Sequence, residues 1–361
     1  MIRFFTASFD ASVYLQQPDQ NAGRDEILEV GKLYYGDTKE VCRTLIKFDV
    51  FSISASIANG EVSGSWKMYL NLKSVQADEI PLEYTIYTNA VSQSWSMGTG
   101  TKFDNITSDG VSWKYRDGVN SWQDNTIGGT AIFNVGTTGS ANAEGGTWYT
   151  SSQASQSFNY EESDVRMDVT EIIKLWNSGS IPNNGFIIHH GLENESDASD
   201  YGLLKFFSKE TNTIYEPKLE LVWSDQTIAR GELSPVTGSA SDDTYKVVIT
   251  NLKSKYSTNS IVKIRLKGRD MYPLKSFGTT FEYEQVKYLP TTTYYQLEDY
   301  KTGDIIFPFG EYTKVSCDNQ SNYFKMDLST LPINRTYRLN IKIVEDGIST
   351  IIDDRFIFEI E

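Results

Sequence analysis

The alternation of apolar and polar residues predicts β-strands along most of the chain. Residues 165–169 place an apolar side chain at every second position, which is typical of a half-buried strand. Ile172, Leu175 and Trp176 then fall at a helical spacing, so we expect one short helix with one apolar face. Residues 186–188 form a continuous apolar run, which predicts a strand buried on both faces. This order indicates a β-sandwich that a short helix closes at one end.

Similar strand patterns fill the chain before this segment. We predict strands at residues 1–15, 27–35, 41–50, 66–72 and 82–91. Residues 55–65 predict a polar, glycine-containing connection. Thr170 is placed to N-cap the short helix, and Gly179 fits just beyond its last turn.

A second series of strands follows a short linker at residues 224–231. The predicted strands are residues 245–251, 260–267, 279–289, 293–299, 323–327, 335–345 and 351–360. Asp346 and Gly347 lie between two alternating runs and predict a hairpin, with a connection longer than two residues. Seven short strands in about 130 residues are typical of an immunoglobulin-like sandwich. We therefore predict an Ig-like domain at residues 226–361, with a role in assembly or docking.

Several short sequence motifs lie at the predicted strands and at the predicted helix of the first region. They are RTLIKFD at residues 43–49, KMYL at 67–70, SWS at 94–96, VSWKY at 111–115, DVT at 168–170, NG at 184–185, FFSKE at 206–210 and PKLELV at 217–222. In this order they resemble the DNRLRE-type domain, a jelly-roll β-sandwich grouped with carbohydrate-binding modules. The resemblance covers about residues 8–224. Met97 departs from it, because an acidic residue is common at that position in the family.

The resemblance implies a jelly-roll β-sandwich with one short capping helix at residues 1–225, and it implies contact with carbohydrate. We expect a long insertion, rich in Trp and Gly, at residues 92–158 of this domain. The chain as a whole is therefore predicted to be all-β, with the jelly roll followed by the Ig-like sandwich.

Charge narrows the classes of partner. The net charge of the 361 residues is -15, and 16 Lys/Arg against 30 Asp/Glu in residues 1–225 give -14 of it. The remaining 17 Lys/Arg and 18 Asp/Glu give -1 for residues 226–361. An acidic excess opposes binding to the phosphates of nucleic acid, so we expect no nucleic-acid partner.

Hydropathy and cysteine content predict where the protein is made. We find no apolar run of the length that a membrane span needs, and no secretory signal at the start. Cys42 and Cys317 fall in different predicted domains and indicate no disulfide framework. We expect synthesis in a reducing cytoplasm and no membrane insertion.

Four tryptophans lie in the predicted insertion. We expect Trp95 and Trp113 in the core, as in the family pattern. Trp122, Trp148 and Tyr149 are the candidates for contact with a carbohydrate or another partner, because aromatic rings stack on sugar faces and are frequent at interfaces. Simple packing within the loop is the alternative for these three residues.

The residue types for catalysis, metals and cofactors give no specific pattern. The two histidines, His189 and His190, are adjacent in a strand, so they point to opposite faces, and we expect one in the core and one on the surface. The acidic residues 193–200 predict a solvated loop, with a Ca²⁺ site as the alternative. We predict no catalytic residues, no metal, no cofactor and no enzymatic activity.

One basic cluster stands out in the second domain. Lys263, Arg265 and Lys267 alternate on one face of a predicted strand. A solvated sheet face is the simplest interpretation. The alternative is an assembly interface that docks on an acidic neighbour, for example the first domain of another copy.

Together these features indicate a non-enzymatic structural protein of a bacteriophage virion, associated with the tail, collar, baseplate or fibre. It would be made in the host cytoplasm and located in the virion. Its expected partners are other virion proteins, itself in a homo-oligomer, and host-surface polysaccharide. A polysaccharide-binding module of a bacterial or phage surface protein is the alternative function.

Overall fold

The polypeptide is predominantly β, as the alternating sequence patterns predict. The computed structural model describes the chain except residues 37, 63, 79, 124–131, 135–143, 160–163, 273–285 and 330. It divides into two compact units. The N-terminal unit comprises Phe4–Asn59 and Lys67–Leu221, and the C-terminal unit comprises Met1–Arg3, Gly60–Trp66 and Val222–Glu361. The C-terminal unit therefore includes two early segments of the chain, which no sequence pattern indicated.

The N-terminal unit is built on one extended sheet with three helices. Its strands are β1 (Ile2–Tyr14), β2 (Ile27–Tyr35), β3 (Thr38–Phe48), β4 (Trp66–Leu72), β5 (Ser74–Asp78), β6 (Glu83–Val91), β7 (Ile132–Asn134), β8 (Thr147–Asn159), β9 (Val165–Asp168), β10 (Phe186–His189), β11 (Gly202–Phe207) and β12 (Lys218–Trp223), of which β1, β4 and β12 cross the boundary between the units. Its helices are α1 (Phe51–Ala58), α2 (Thr170–Asn177) and α3 (Leu192–Ser196).

The strand order runs β7-β8-β6-β10-β3-β1-β12-β4-β9, and β3 also pairs with β2, which continues to β11 and β5. The sheet therefore branches at β3, whose residues Val41–Ile46 are all buried. The continuous apolar run in β10 is buried at every position, as expected for a strand covered on both faces.

The C-terminal unit contains a four-stranded and a five-stranded sheet. Its strands are β13 (Tyr245–Ile249), β14 (Lys255–Tyr256), β15 (Ile261–Asp270), β16 (Thr293–Asp299), β17 (Ile305–Phe307), β18 (Ser316–Cys317), β19 (Asn322–Asp327), β20 (Arg335–Glu345) and β21 (Ile348–Ile360), with 3₁₀ turns at Ala240–Asp242 and Glu311–Thr313. The strand orders are β13-β15-β19-β18 and β14-β21-β20-β16-β17. Tyr295 and Phe324 stack in its core with ring centroids 4.2 Å apart.

Four of the predicted strands match the observed bounds. The observed β2, β4, β16 and β20 begin and end at the predicted residues. The hairpin at Asp346 and Gly347 is confirmed, but its connection has two residues rather than more, with φ values of 49° and 81°. Such a turn needs positive φ at both positions, which Asp and Gly tolerate. The predicted strand at residues 279–289 falls largely outside the described residues.

The predictions for helices need correction. One short helix was expected, and α2 is that helix, but α1 occupies part of the predicted polar connection and α3 part of the predicted acidic loop. Thr170 is the first residue of α2 rather than its N-cap. Its hydroxyl accepts the Met68 N–H at 2.9 Å, while the Asp168 carboxylate accepts the Thr170 N–H at 3.1 Å. None of the described helices has the length and apolar character that a membrane span requires.

Candidate binding site

The three aromatic residues predicted to contact a partner lie inside the N-terminal unit. Trp122 and Trp148 are fully buried, and Tyr149 is 5% exposed. The indole N–H of Trp122 donates to the Ser112 carbonyl at 3.1 Å, so its polar edge is also satisfied. These rings offer no face to a sugar, and packing within the loop describes them better. Burial of Trp95, together with Trp113, confirms the expectation for those two.

Trp113 and Trp148 pack against a buried ion pair that no sequence pattern indicated. The Arg43 guanidinium lies 4.6 Å from the Trp113 ring centroid and 5.2 Å from that of Trp148. Arg43 Nη2 donates to Glu195 Oε2 at 2.6 Å, and Arg43 Nη1 donates to the Gly145 carbonyl at 2.7 Å. Burial alone would raise the pKa of Glu195, but the guanidinium outweighs it and the net shift is downward.

Both histidines are buried next to this ion pair, so the expectation of one surface histidine is wrong. His189 is the last residue of β10, which is buried at every position, and His190 follows it and is buried too. His189 Nδ1 accepts the Gly191 N–H at 2.9 Å, which leaves Nε2 to donate to Asn89 Oδ1 at 3.0 Å. His190 has no hydrogen-bond partner at either ring nitrogen among the described residues. Burial lowers the pKa of each histidine to about 4, so both are neutral near pH 7.

The acidic segment at residues 193–200 is not a solvated loop throughout. Its first part is α3, and Glu195 points inward to Arg43. Asp197 accepts from the buried Lys32 ammonium at 2.6 Å, and this contact lowers the pKa of Asp197 to about 2. Two of the carboxylates that a Ca²⁺ ion would use are therefore paired with cations of the same chain. No group of three or more His, Cys, Asp or Glu side chains suited to a metal occurs in the described part of the chain.

The predicted basic interface lies on β15, and its cations are partly neutralised. Asp318 accepts from Arg265 at 2.9 and 3.0 Å and from Lys263 at 3.0 Å, and Arg265 with Lys263 holds the pKa of this carboxyl far below its usual range. The Lys263 ammonium also lies 3.7 Å from the Tyr323 ring centroid. Lys267 is exposed on the same face. The alternation is as predicted, but two of the three charges already have an anion within the chain.

An open cleft in the N-terminal unit presents an accessible aromatic ring, which the buried Trp122 and Trp148 do not. Its volume is about 680 Å³, within the usual range for ligand sites. Phe9, 45% exposed, contributes an aromatic face, and the Trp95 ring meets it edge-on with centroids 6.5 Å apart. Ion-pairing and polar side chains surround them. The lining residues are Ser8, Phe9, Arg24, Trp95, Ser96, Met97, Gly98, Thr99, Asp109, Lys209 and Glu210. We refer to this feature as the Phe9 cleft.

Local irregularities of the backbone shape the Phe9 cleft. The pairing of β1 with β3 shifts register between Ala7 and Phe9, and such bulges redirect side chains. The Trp95 indole N–H donates to the Asn184 carbonyl at 2.7 Å, which holds the ring in place. Gly98 has φ +80°, a value that other residues rarely adopt.

Asn21 fastens the segment that forms one wall. Its Nδ2 donates to the Met97 and Val111 carbonyls, both at 2.7 Å, and its Oδ1 accepts the Gly100 N–H at 2.8 Å. The side chain is fully buried, and these three bonds hold the segment from inside the unit.

A buried carboxyl lies directly beneath the opposite wall. Asp10 is 1% exposed, and its Oδ2 accepts the Lys209 N–H at 2.6 Å. Burial raises the pKa of Asp10 to about 7, although the hydrogen bond from Lys209 opposes the shift. The charged side chains that line the cleft form ion pairs, since the Glu210 carboxylate lies 3.0 Å from the Lys209 ammonium and 3.5 Å from the Arg24 guanidinium.

Sequence reasoning missed Phe9 as a site residue because an aromatic residue in an apolar-rich strand predicts core. In the structure Phe9 follows a register shift in β1, and its ring is exposed. Comparison with protein-family models gives no match, and no curated protein matches the chain.

Proposed function

We propose that the protein is a non-enzymatic structural component of a bacteriophage virion, associated with the tail, collar, baseplate or fibre and acting through protein–protein assembly. In this proposal the N-terminal unit is a jelly-roll sandwich related to the DNRLRE-type domain, and the C-terminal unit is Ig-like. Other virion proteins and further copies of the chain are the partners.

The observation that carries the proposal is that buried ionisable groups form ion pairs within the chain. Arg43 pairs with Glu195, and the fully buried Lys32 ammonium pairs with Asp197. These pairs join strands to the segment around α3, so the chemistry of the interior supports structure rather than a reacting centre. Both cysteines are buried and unpaired, in keeping with assembly from a reducing cytoplasm.

Particle association tests the proposal. The full-length protein would be followed by a specific antibody through density-gradient purification of phage particles from a lysate of infected producer cells. We expect the protein to migrate with intact particles and to remain with them after a wash in 1 M salt. At that concentration the Debye length is about 3 Å, so attachment by exposed charges alone would be lost. Recovery of the protein only in the soluble fractions would overturn the virion role.

The Phe9 cleft supports a second candidate, binding of a polysaccharide. An exposed ring beside hydrogen-bonding side chains suits a pyranose, which presents an apolar face and a rim of hydroxyls. The paired charges of Arg24, Lys209 and Glu210 favour a neutral sugar. This places the contact at Phe9 instead of Trp122, Trp148 and Tyr149, whose rings are buried.

A matched pair of variants tests this candidate. Phe9→Ala removes the ring in the cleft, whereas Phe103→Ala removes a ring that is 88% exposed but lies outside it. On an array of bacterial polysaccharides, we expect Phe9→Ala to weaken binding about tenfold or more, the scale of one lost stacking contact. Equal binding by both variants, or no binding by the parent chain, would contradict the proposal that this cleft binds a polysaccharide.

A further inference from the structure

Along most of one side, the last strand of the C-terminal unit has no strand partner in the part of the chain that the structure describes. β21 pairs with β20 from Ile348 to Ile360, but β14 covers its other side only at Glu359 and Ile360. Among the described residues, the stretch before that end has no strand partner on the side away from β20. An edge of this kind presents free N–H and C=O groups.

The hydrogen-bond pattern shows which residues point outward. The Val344 N–H donates to the Thr292 carbonyl on the β16 side. The main-chain N–H and C=O groups of the odd-numbered residues of β20 therefore point towards β21. Ile343 pairs with Thr350, and Ile341 with Ile352. Thr350 and Ile352 therefore direct their main-chain groups to β20. By this alternation the main-chain groups of residues 349 and 351 point away from β20, and we place those of Asp353, the first residue after the last regular pair, on the same side.

The side chains of this edge leave it available for pairing. Residues 348–352 carry no charge, and Ile348 and Ile351 are 55% and 58% exposed. Proteins usually guard an edge with charges or a bulge. Here the guard comes only after Ile352, where Asp353 and Asp354 precede Arg355 with φ +56° and the register with β20 shifts. The open stretch is therefore short and has a defined end.

We propose that this edge pairs with the same edge of a second copy, antiparallel and about a two-fold axis at Ile351. Ser349 then lies opposite Asp353, and Ile348 opposite Asp354, so no like charges face each other. Residues 349, 351 and 353 of both copies form roughly six main-chain hydrogen bonds. The inference rests on the proposed assembly role and names its partner.

The distribution of charge favours a second copy as the occupant. Residues 226–361 hold 17 Lys/Arg and 18 Asp/Glu, a net charge of -1, whereas the rest of the chain carries -14. Two copies that join through residues 349–353 bring together the nearly neutral part of each sequence. Joining through the acidic part would place like charge against like charge.

The oligomeric state of the full chain tests the inference. Sedimentation equilibrium over a range of concentrations would compare the parent with Ile351→Lys and with the control Ile333→Lys, whose parent side chain is similarly exposed at 56%. We expect a dimer for the parent and for the control. The dissociation constant of the dimer should be at least about tenfold higher for Ile351→Lys, because two lysines meet at the two-fold axis.

Hydrogen exchange provides an independent readout if Ile351→Lys disturbs folding. In the parent, protection of the Ser349, Ile351 and Asp353 amides should rise with protein concentration, while the Thr350 and Ile352 amides stay protected throughout. A monomeric parent, equal dissociation of the two lysine variants, or concentration-independent exchange would each overturn the inference. A protein that is monomeric in solution but migrates with particles would overturn the edge pairing alone and leave the virion role standing.

Discussion

At the scale of single residues, adjacent positions in one strand have different energetic roles. His189 and His190 are both buried and neutral, but only His189 is hydrogen-bonded on both ring nitrogens. Neither ring nitrogen of His190 has a hydrogen-bond partner among the described residues. It lies beside the Tyr84 and Tyr201 rings, with centroids 6.1 and 5.8 Å away. His190 thus acts mainly as a packed ring.

Replacement of each histidine by phenylalanine should separate these roles. His190→Phe loses no hydrogen bond, and we expect the free energy of unfolding at pH 8 to change by less than about 1 kcal/mol. His189→Phe leaves the Gly191 N–H unsatisfied and removes the donor to Asn89, and we expect a loss of about 2 kcal/mol or more. Urea unfolding of both variants measures the difference. Equal losses would contradict the assigned hydrogen bonds.

Asp10 is a second buried residue whose effect depends on protonation. Its pKa in the folded protein is about 7, against 3.8 for an ordinary Asp, so the folded state keeps a proton that the unfolded chain has released between these values. Its contribution to stability is complete below pH 4 and is lost as the pH rises through 7. The loss amounts to at most about 4 kcal/mol.

Asp10→Asn should therefore change the pH dependence. The amide oxygen can still accept the Lys209 N–H, but it never ionises. We expect the variant to unfold at a higher urea concentration than the parent at pH 8 and at nearly the same concentration at pH 4. A variant that is less stable at pH 8 would show that the ionised carboxylate is favourable in its surroundings.

At the scale of elements, a buried ion pair holds a short helix in place. With five residues, α3 is too short to be stable alone. Glu195 on this helix is 4% exposed and pairs with Arg43 on β3, which is 2% exposed. Neither charge can be removed from the interior without leaving the other uncompensated.

A double-mutant cycle on this pair should show strong coupling. Arg43→Met leaves the Glu195 carboxylate buried without its cation, and we expect a loss of about 3–5 kcal/mol in the free energy of unfolding. The double variant Arg43→Met/Glu195→Met should recover much of that loss, because apolar side chains can replace a buried pair. Thermal or urea unfolding of the four proteins gives the coupling. Additive losses would mean that the two side chains act independently.

Element bounds follow the local pattern where one face of a strand is buried. Glu83–Val91 and Trp66–Leu72 show alternating burial in large part, and their sequences alternate too. By contrast α1 begins with Phe51, which is 79% exposed, and has no side-chain N-cap. Its sequence carries little of the capping and periodic information from which a helix is predicted.

At the scale of the whole molecule, the buried histidines make stability sensitive to acid. Each has a folded pKa of about 4 and an ordinary value of 6.5, so between these values the unfolded chain binds protons that the folded chain does not. The contribution of these two histidines to stability is complete above pH 6.5 and falls as the pH drops towards 4, whereas the contribution of Asp10 changes in the opposite direction. Two such groups give a slope of at most about 2.7 kcal/mol per pH unit.

The double variant His189→Gln/His190→Phe should flatten this dependence. We expect the parent to lose stability more steeply than the variant between pH 6.5 and 4, and the two to run parallel above pH 7. Urea midpoints across this range measure both slopes. Identical slopes would show that other groups control the acid response.

The sequence by itself determined the class of the fold. Alternation with a period of two is a property of neighbouring residues, so it predicts strands such as Thr293–Asp299 and Arg335–Glu345 with correct bounds. The positive φ at Asp346 and Gly347 is likewise a local preference, and the hairpin could be predicted from it.

Tertiary structure decided which side chains are accessible. Trp122 and Trp148 are buried because segments distant in the sequence close into one core, whereas Phe9 is exposed at a register shift in β1. Whether β21 has a second strand partner likewise depends on the order of strands in the sheet. These outcomes depend on contacts between residues far apart in the chain, and neither composition nor periodicity contains that information.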